Sequence, residues 1–177
     1  HKALVRMEKS QIFDSFTIIT QNVDNLHQKA GSKNVIEVHG TYLTASCMSC
    51  RAKTSYESIK YQIKQGNPVP FCDRCMFGVL KSDVTLFGEP PPQRAILQAE
   101  QSVLEADAML IIGTSLEVYP AAALPLKAKN NGANLVGVNT VEDCHNQQEE
   151  FDIDICLAGR AAKIVPRLVK LILLKQG

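Results

Sequence analysis

The sequence predicts an α/β protein, a doubly wound parallel sheet with helices on both faces and a small zinc-binding module inserted into it. Three observations predict this. Short apolar runs alternate with helix-compatible stretches along most of the 177 residues, as in strand–helix–strand units. Polar residues cluster just past three of those runs, where open α/β sheets form their ligand crevices. One stretch, 41–86, breaks the pattern, holds no long apolar run and carries four cysteines in two close pairs.

Residues 1–10 read as a helix with Ala3, Leu4, Val5 and Met7 inward. The β-branched run 16–20 reads as a strand, 24–30 as a short helix stopped by Gly31-Ser32, and 35–38 as a short apolar piece leading into His39-Gly40. Within 41–86 the only helical signal is polar, at 56–64, followed by a turn at 66–68. So little apolar surface calls for an internal staple. Residues 93–106 suit a helix with Ile96, Leu97, Val103 and Leu104 inward. The continuous apolar run 108–112 suits a strand covered on both faces. A helix at 120–129 stops at Asn130-Asn131-Gly132, strands follow at 135–138 and 153–157, and a helix closes the chain at 161–175. Pro166 must lie in the first turn of that helix or bend it.

Composition sets bounds on function. With 45% hydrophobic residues, 21% charged and a net charge of +1, the chain is one globular domain, or one domain with an insert. The near-neutral balance argues against nucleic acid or a membrane surface as partner. No apolar run approaches the roughly 18 residues of a membrane span, and no signal-peptide pattern is present. A cytoplasmic setting is expected, with the nucleus as the alternative. The first residue is His1 and the opening helix has no start signal, so further residues are expected before it.

Cys47-x-x-Cys50 and Cys72-x-x-Cys75 are the most specific signal. Two turns, each presenting two thiolates, complete a tetrahedral S₄ site for one structural zinc. The competing reading is redox C-x-x-C chemistry, which would not need the second pair. Cys144 and Cys156 stand alone and read as small packing residues. Gly113-Thr114-Ser115 follows a strand and can offer N–H and O–H donors to a phosphate, though such turns also serve as plain connections. Asn139-Thr140 again follows a strand, as do Gln21, Asn22 and Asp24. These three strand ends reinforce one another and describe one crevice able to hold a nucleotide. His39 lies between that polar segment and the first cysteine pair. A histidine beside glycine is often structural, but an imidazole at such a junction suits general-base work at neutral pH. Residues 86–92, with Gly88 before three prolines, read as a rigid linker or as an extended edge that pairs with a peptide.

Taken together, TQNVDNLH at 20–27, VHG at 38–40, the four cysteines, FGE at 87–89, GTSLEVYPAA at 113–122 and NT at 139–140 resemble the sirtuin family, the NAD-dependent protein deacylases. The match spreads along nearly the whole chain. It implies a Rossmann-type domain (1–40 and 87–177) and a zinc module (41–86), with NAD and acylated lysine of a protein or peptide meeting between them. By that resemblance His39 is the general base on a ribose hydroxyl of NAD, and Asn22 orders the nicotinamide ribose or a nearby water. Asp24 holds the carboxamide and Gln21 contacts the ribose. Gly113, Thr114 and Ser115 line the phosphate and adenosine side. Asn139 and Thr140 take the adenosine ribose, and Ala161 lies near the adenine. Thr85, Phe87 and Gly88 flank the acyl-lysine peptide.

The resemblance implies a reaction in which the acyl oxygen attacks the ribose carbon and expels nicotinamide. His39 then deprotonates the ribose so that it attacks the imidate, giving free lysine and O-acyl-ADP-ribose. Two alternatives are mono-ADP-ribosyl transfer from the same site and a non-catalytic NAD-binding or zinc-bridged interaction module. Asn25 stands where many family members have glycine. The family's Gly-Ala-Gly loop, Pro-Asp-Phe-Arg region and first strand are not in this sequence, so these 177 residues alone are expected to bind NAD weakly and to be inactive.

Overall fold

The computed structural model describes residues 1–175. The chain divides into two compact units. One comprises His1–Ile19, Leu26–Ile36 and the described residues from Gln93 onward; the other comprises Thr20–Asn25 and Glu37–Pro92.

The first unit is α/β. Helix α1 (Lys2–Lys9) buries Ala3, Leu4, Val5 and Met7, as its spacing predicts. Strands β6 (Ala108–Ile112), β7 (Asn134–Asn139) and β8 (Ile155–Ala158) form a parallel sheet in the order β6-β7-β8. Helix α4 (Gln93–Leu104) leads into β6, α5 (Leu124–Asn130) and α6 (Val141–Phe151) connect the strands, and α7 (Ala161–Leu174) follows β8. Ala3, Leu4, Met7, Ile18, Val138, Val165 and Val169 form one buried apolar cluster, in which α1 and α7 share the core. Glu8 Oε1 accepts the backbone N–H groups of Lys33 (2.9 Å) and Asn34 (3.1 Å), tying α1 to the turn after α2 (Leu26–Ala30).

Several sequence expectations for this unit are corrected. β6 is not covered on both faces: Ile111 is buried, but Ala108 is exposed and the rest are half-buried. Among the described residues β6 pairs with β7 alone and is an edge. Helix α4 turns Ala99 and Val103 inward, leaving Leu97 and Leu104 about half exposed at 57% and 48%. The buried row runs at helical spacing, and its position follows the backbone rather than side-chain size. Strand β1 (Ile18–Thr20) pairs with β2 (Val35–Glu37), and among the described residues this two-stranded sheet is separate from β6-β7-β8. Of the two places expected for Pro166, the first turn is excluded: the proline is the sixth residue of α7, where it gives up the bond to the carbonyl of residue 162. Helix α6 has no counterpart in the sequence reading. Thr140 caps it, its side chain accepting the Asp143 N–H, and its inner face is Cys144, Gln147 and Phe151.

The second unit is built on β3 (Gly40–Cys47), flanked antiparallel by β4 (Lys53–Ser55) and β5 (Leu80–Val84). Helix α3 (Tyr56–Lys64) begins at Ser55, whose hydroxyl accepts the Ser58 N–H at 3.3 Å. Its one buried residue, Gln62, grips the second cysteine turn. Its amide donates to Phe71 O (2.9 Å) and Asp73 Oδ1 (3.1 Å) and accepts from Phe71 N (2.9 Å). The core is small: Ala45, Cys47, Cys72 and Leu80. Among the described residues no helix is long and apolar enough to cross a membrane.

Candidate active site and metal centre

The four cysteines meet as their spacing predicts. Cys47 sits at the end of β3, Cys50 on the turn after it, and Cys72 and Cys75 on the turn before β5. Their sulfurs all lie within 4.8 Å of one another, with Cys47–Cys75 at 3.6 Å and Cys50–Cys72 at 3.7 Å. A tetrahedron with Zn–S bonds of ~2.3 Å has edges of about 3.8 Å, so the cage has the dimensions of an S₄ zinc site.

The backbone is already arranged for thiolates. Ser49 and Cys50 N–H groups point at Cys47 Sγ (3.4 Å each) and Gly78 N–H at Cys75 Sγ (3.3 Å). The Cys50 N–H, helped by that of Ser49, draws the Cys47 thiol down to about 6 against the effect of burial. Cys50 moves the other way, to about 11. The Ala52 N–H pulls it down, but burial and the three neighbouring thiols outweigh that pull. Four clustered sulfurs cannot all ionise without a cation between them, which is what this donor set calls for.

The predicted base and its companions fall in the second unit. His39 is half-buried, and its Nδ1 lies 3.2 Å from the carbonyl oxygen of Gln21. A carbonyl can only accept, so Nδ1 is the donor in this contact, and in the neutral tautomer it selects Nε2 is the acceptor. Thr85 N–H donates to the His39 carbonyl at 2.9 Å, so the imidazole's own peptide is held from β5. Gly40, next in sequence, has φ +76°, and a Cβ there would collide with the Asp83 carbonyl. Only glycine permits β3 and β5 to approach this closely beside the histidine. Asn22 is exposed, its backbone N–H donating to Thr20 Oγ1 at 3.1 Å, and Asp24 is half-buried. Asn25 has φ +57°, a conformation that glycine and asparagine adopt most readily.

The segment after β5 is closed by one carboxylate. Glu89 Oε2 accepts from Lys81 Nζ (2.8 Å) and from the Leu86 N–H (3.0 Å). The loop so formed presents Phe87 fully exposed and Gly88 at φ +84°. The ammonium of Lys81, then the Leu86 N–H, hold the Glu89 carboxyl below its ordinary value.

The first unit gathers the other predicted residues. Gly113, at φ +57°, donates its N–H to Val138 O (3.0 Å), and the place of its missing Cβ is open space. Asn139 is buried; its Nδ2 donates to Thr114 O at 2.7 Å and its Oδ1 accepts the Thr140 N–H at 3.0 Å. Ser115 and Thr140 are exposed, and Ala161 opens α7 against the core cluster. Sequence reasoning missed Gln147, whose Nε2 also donates to Thr114 O, at 2.6 Å. Its signal was the 144–147–151 spacing behind Thr140-x-x-Asp143, a helix start that went unread.

It also missed a bond. Cys144 and Cys156 form a disulfide and are not isolated packing residues. Helix α6 folds back on the sheet and brings their Cα atoms to 5.6 Å, within bridging range.

Comparison with known proteins agrees with this layout. Residues 1–120 match the model of the Sir2 family. The chain is 45% identical over 170 residues to NAD-dependent protein deacetylase 1 of Pyrobaculum aerophilum, covering 96% of this chain and 63% of that protein. It is 35% identical to NAD-dependent protein deacylase 2 of Archaeoglobus fulgidus, covering 96% and 64%. A solved structure of Sir2 with a p53 peptide and NAD⁺ superposes with a TM-score of 0.81 at 31% identity, over 99% of this chain and 69% of that one. The chain thus spans less than two thirds of the length of these two curated relatives. With a family model over most of its residues, a cysteine cage of zinc dimensions and a parallel α/β sheet, the chain belongs to the Sir2 family.

Proposed function

We propose that the protein removes acyl groups from lysine side chains of proteins, with NAD as co-substrate, yielding nicotinamide, O-acyl-ADP-ribose and free lysine. The observation that carries this reading is the state of His39 within a family whose relatives are named NAD-dependent deacetylases and deacylases. With Nδ1–H committed to Gln21 O, Nε2 is left as an acceptor able to take the proton of a ribose hydroxyl.

The other roles follow residue by residue. Asn22 orders the nicotinamide ribose or a water beside it, Asp24 holds the carboxamide, and Gln21 contacts the ribose. Gly113, Thr114 and Ser115 take the phosphates, where an open glycine and an exposed serine leave room for an anion. Asn139 and Thr140 take the adenosine ribose; the Asn139 amide keeps a second N–H and a second lone pair for it. Ala161 lies at the adenine. Thr85, Phe87 and Gly88 flank the acyl-lysine chain, and the bare Phe87 ring can cover its apolar stem. An amide oxygen is a poor nucleophile, so oriented attack must supply much of the rate, of the order of 7–11 kcal/mol.

From the sequence pattern we assign residues 1–40 and 87–177 to the NAD-binding domain and 41–86 to a structural zinc module, although 20–25, 37–40 and 87–92 cluster by contact with the module. Cys47, Cys50, Cys72 and Cys75 would hold the ion, which supplies cross-linking and no reactive position. We place the protein in the cytoplasm. The test is incubation of the protein, with any sequence preceding His1 included, with NAD and an acyl-lysine peptide. Equal amounts of nicotinamide, free-lysine peptide and O-acyl-ADP-ribose are expected. ADP-ribose on protein with no peptide turnover, or no reaction at all, would overturn the reading.

A further inference from the structure

We propose that Gln147 is a positioning residue for the dinucleotide: with Asn139 it fixes the carbonyl of Thr114, and so aims the Ser115 N–H at the phosphates. The Cys144–Cys156 disulfide holds the helix that carries it. The inference rests on the NAD-dependent reading above and names a residue that reading does not use.

A carbonyl oxygen has two lone pairs. That of Thr114 receives the Asn139 amide at 2.7 Å and the Gln147 amide at 2.6 Å. Gripped twice, this peptide cannot rotate without breaking both bonds. The peptide is planar and trans, so the N–H of Ser115 points opposite to the gripped oxygen. The oxygen is held by two buried side chains, and Ser115 is exposed. The donor therefore faces outward, beside the open space at Gly113. Beyond it the Leu116 N–H turns back to Thr114 Oγ1 at 3.2 Å, and the buried Leu116 side chain anchors the far end.

Packing alone does not explain glutamine at this position. Gln147 is 2% exposed, and its Oε1 is buried without a protein partner. A buried amide with one unmet oxygen is unfavourable unless its donor is needed. An apolar side chain would suit the same face beside Phe151.

The helix is held in the register that delivers this donor. Cys144 lies one turn before Gln147 on the same face of α6, and its sulfur is bonded to Cys156 of β8. Cys156 pairs with Gly137 of β7, and a Cβ on Gly137 would stand 2.7 Å from the Cys156 sulfur. The bridge thus occupies the space left where β7 carries no side chain. Asn139, at the end of β7, and Gln147 on α6, the next element in sequence, reach one oxygen.

The test compares Gln147→Met, which keeps length without a donor, with Gln147→Glu, which keeps shape but turns an acceptor toward the carbonyl. Both are made in the protein with any sequence preceding His1 included. In each, KM for NAD is expected to rise about tenfold, the loss of one well-placed hydrogen bond, with kcat and the acyl-peptide KM within twofold of the parent. Amide hydrogen exchange at Leu116, whose N–H is held by Thr114 Oγ1, is expected to quicken at least tenfold in both variants of the ligand-free protein. The same is expected in the Cys144→Ser/Cys156→Ser pair, with protection of β6 and β7 kept. If the parent does not deacylate, the functional reading fails while the exchange measurement still decides this one. Unchanged exchange at Leu116 in whichever glutamine variant folds, or unchanged NAD affinity when exchange quickens, would overturn it.

Discussion

His39 Nδ1–H donates to the carbonyl of Gln21 across 3.2 Å, and this contact commits one of the two ring nitrogens to the backbone. Gln21 itself lies one residue before Asn22, so a single backbone segment orients the imidazole proposed as the base and carries its proposed companion. Replacing the ring by His39→Ala should lower kcat by 10²- to 10⁴-fold, as for other positioned bases. Steady-state rates with NAD and an acyl-lysine peptide measure it; a variant with parental turnover contradicts the assignment.

The cysteine cage should make the second unit depend on metal. One zinc per chain is expected by elemental analysis. Its removal by a chelator, or Cys72→Ser, should unfold the strands around β3, whose core is only four residues wide apart from the ion. Circular dichroism and amide exchange read this directly. Retained protection of β3 in the stripped protein would mean that the ion is not structural.

Glu89 should make the loop it closes sensitive to acid. Its folded value lies below the ordinary one because of Lys81 and the Leu86 N–H. A depressed carboxyl contributes closure at neutral pH and loses it as pH falls below the unfolded value of about 4.3. The Leu86 amide resonance should therefore titrate on acidification from that value downward, and should cease to do so in Glu89→Gln. A Leu86 signal indifferent to Glu89 would separate the loop from this ion pair.

The disulfide closes a segment with a sequence separation of 12 residues. Loops of this size are restrained by about 3 kcal/mol in the unfolded chain. Cys144→Ser with Cys156→Ser should lower the unfolding free energy of its unit by a figure of that order. A denaturant midpoint with the slope unchanged measures it. An unshifted midpoint would leave the bridge without a stabilising role.

The zinc cage was legible because four soft donors at fixed spacing have few other uses, and the helix at 56–64 was legible to the residue. α1 was legible because Ala3, Leu4 and Met7 share a face and pack into one cluster, with Val5 buried beside it near Gly31. The strands of the second unit were not, since Thr41, Thr44, Ser46, Ser82 and Asp83 alternate with modest apolar residues and no run stands out. Two of those, Thr44 and Ser46, are used on Asp83, whose carboxylate accepts both hydroxyls (2.5 and 2.6 Å). α6 was hidden because its inner face carries a cysteine and a glutamine where a hydrophobic stripe would be sought. The bridge and the Thr114 contact both follow from that helix, so one unread element concealed both.

Asn25 takes a left-handed turn that a glycine would also take, but with fewer ways of leaving it. A branched amide at this corner narrows the wanderings of the short polar stretch 20–25 before any ligand arrives. On the function proposed above, the cost of ordering that stretch is met largely at folding and not at each encounter with the dinucleotide.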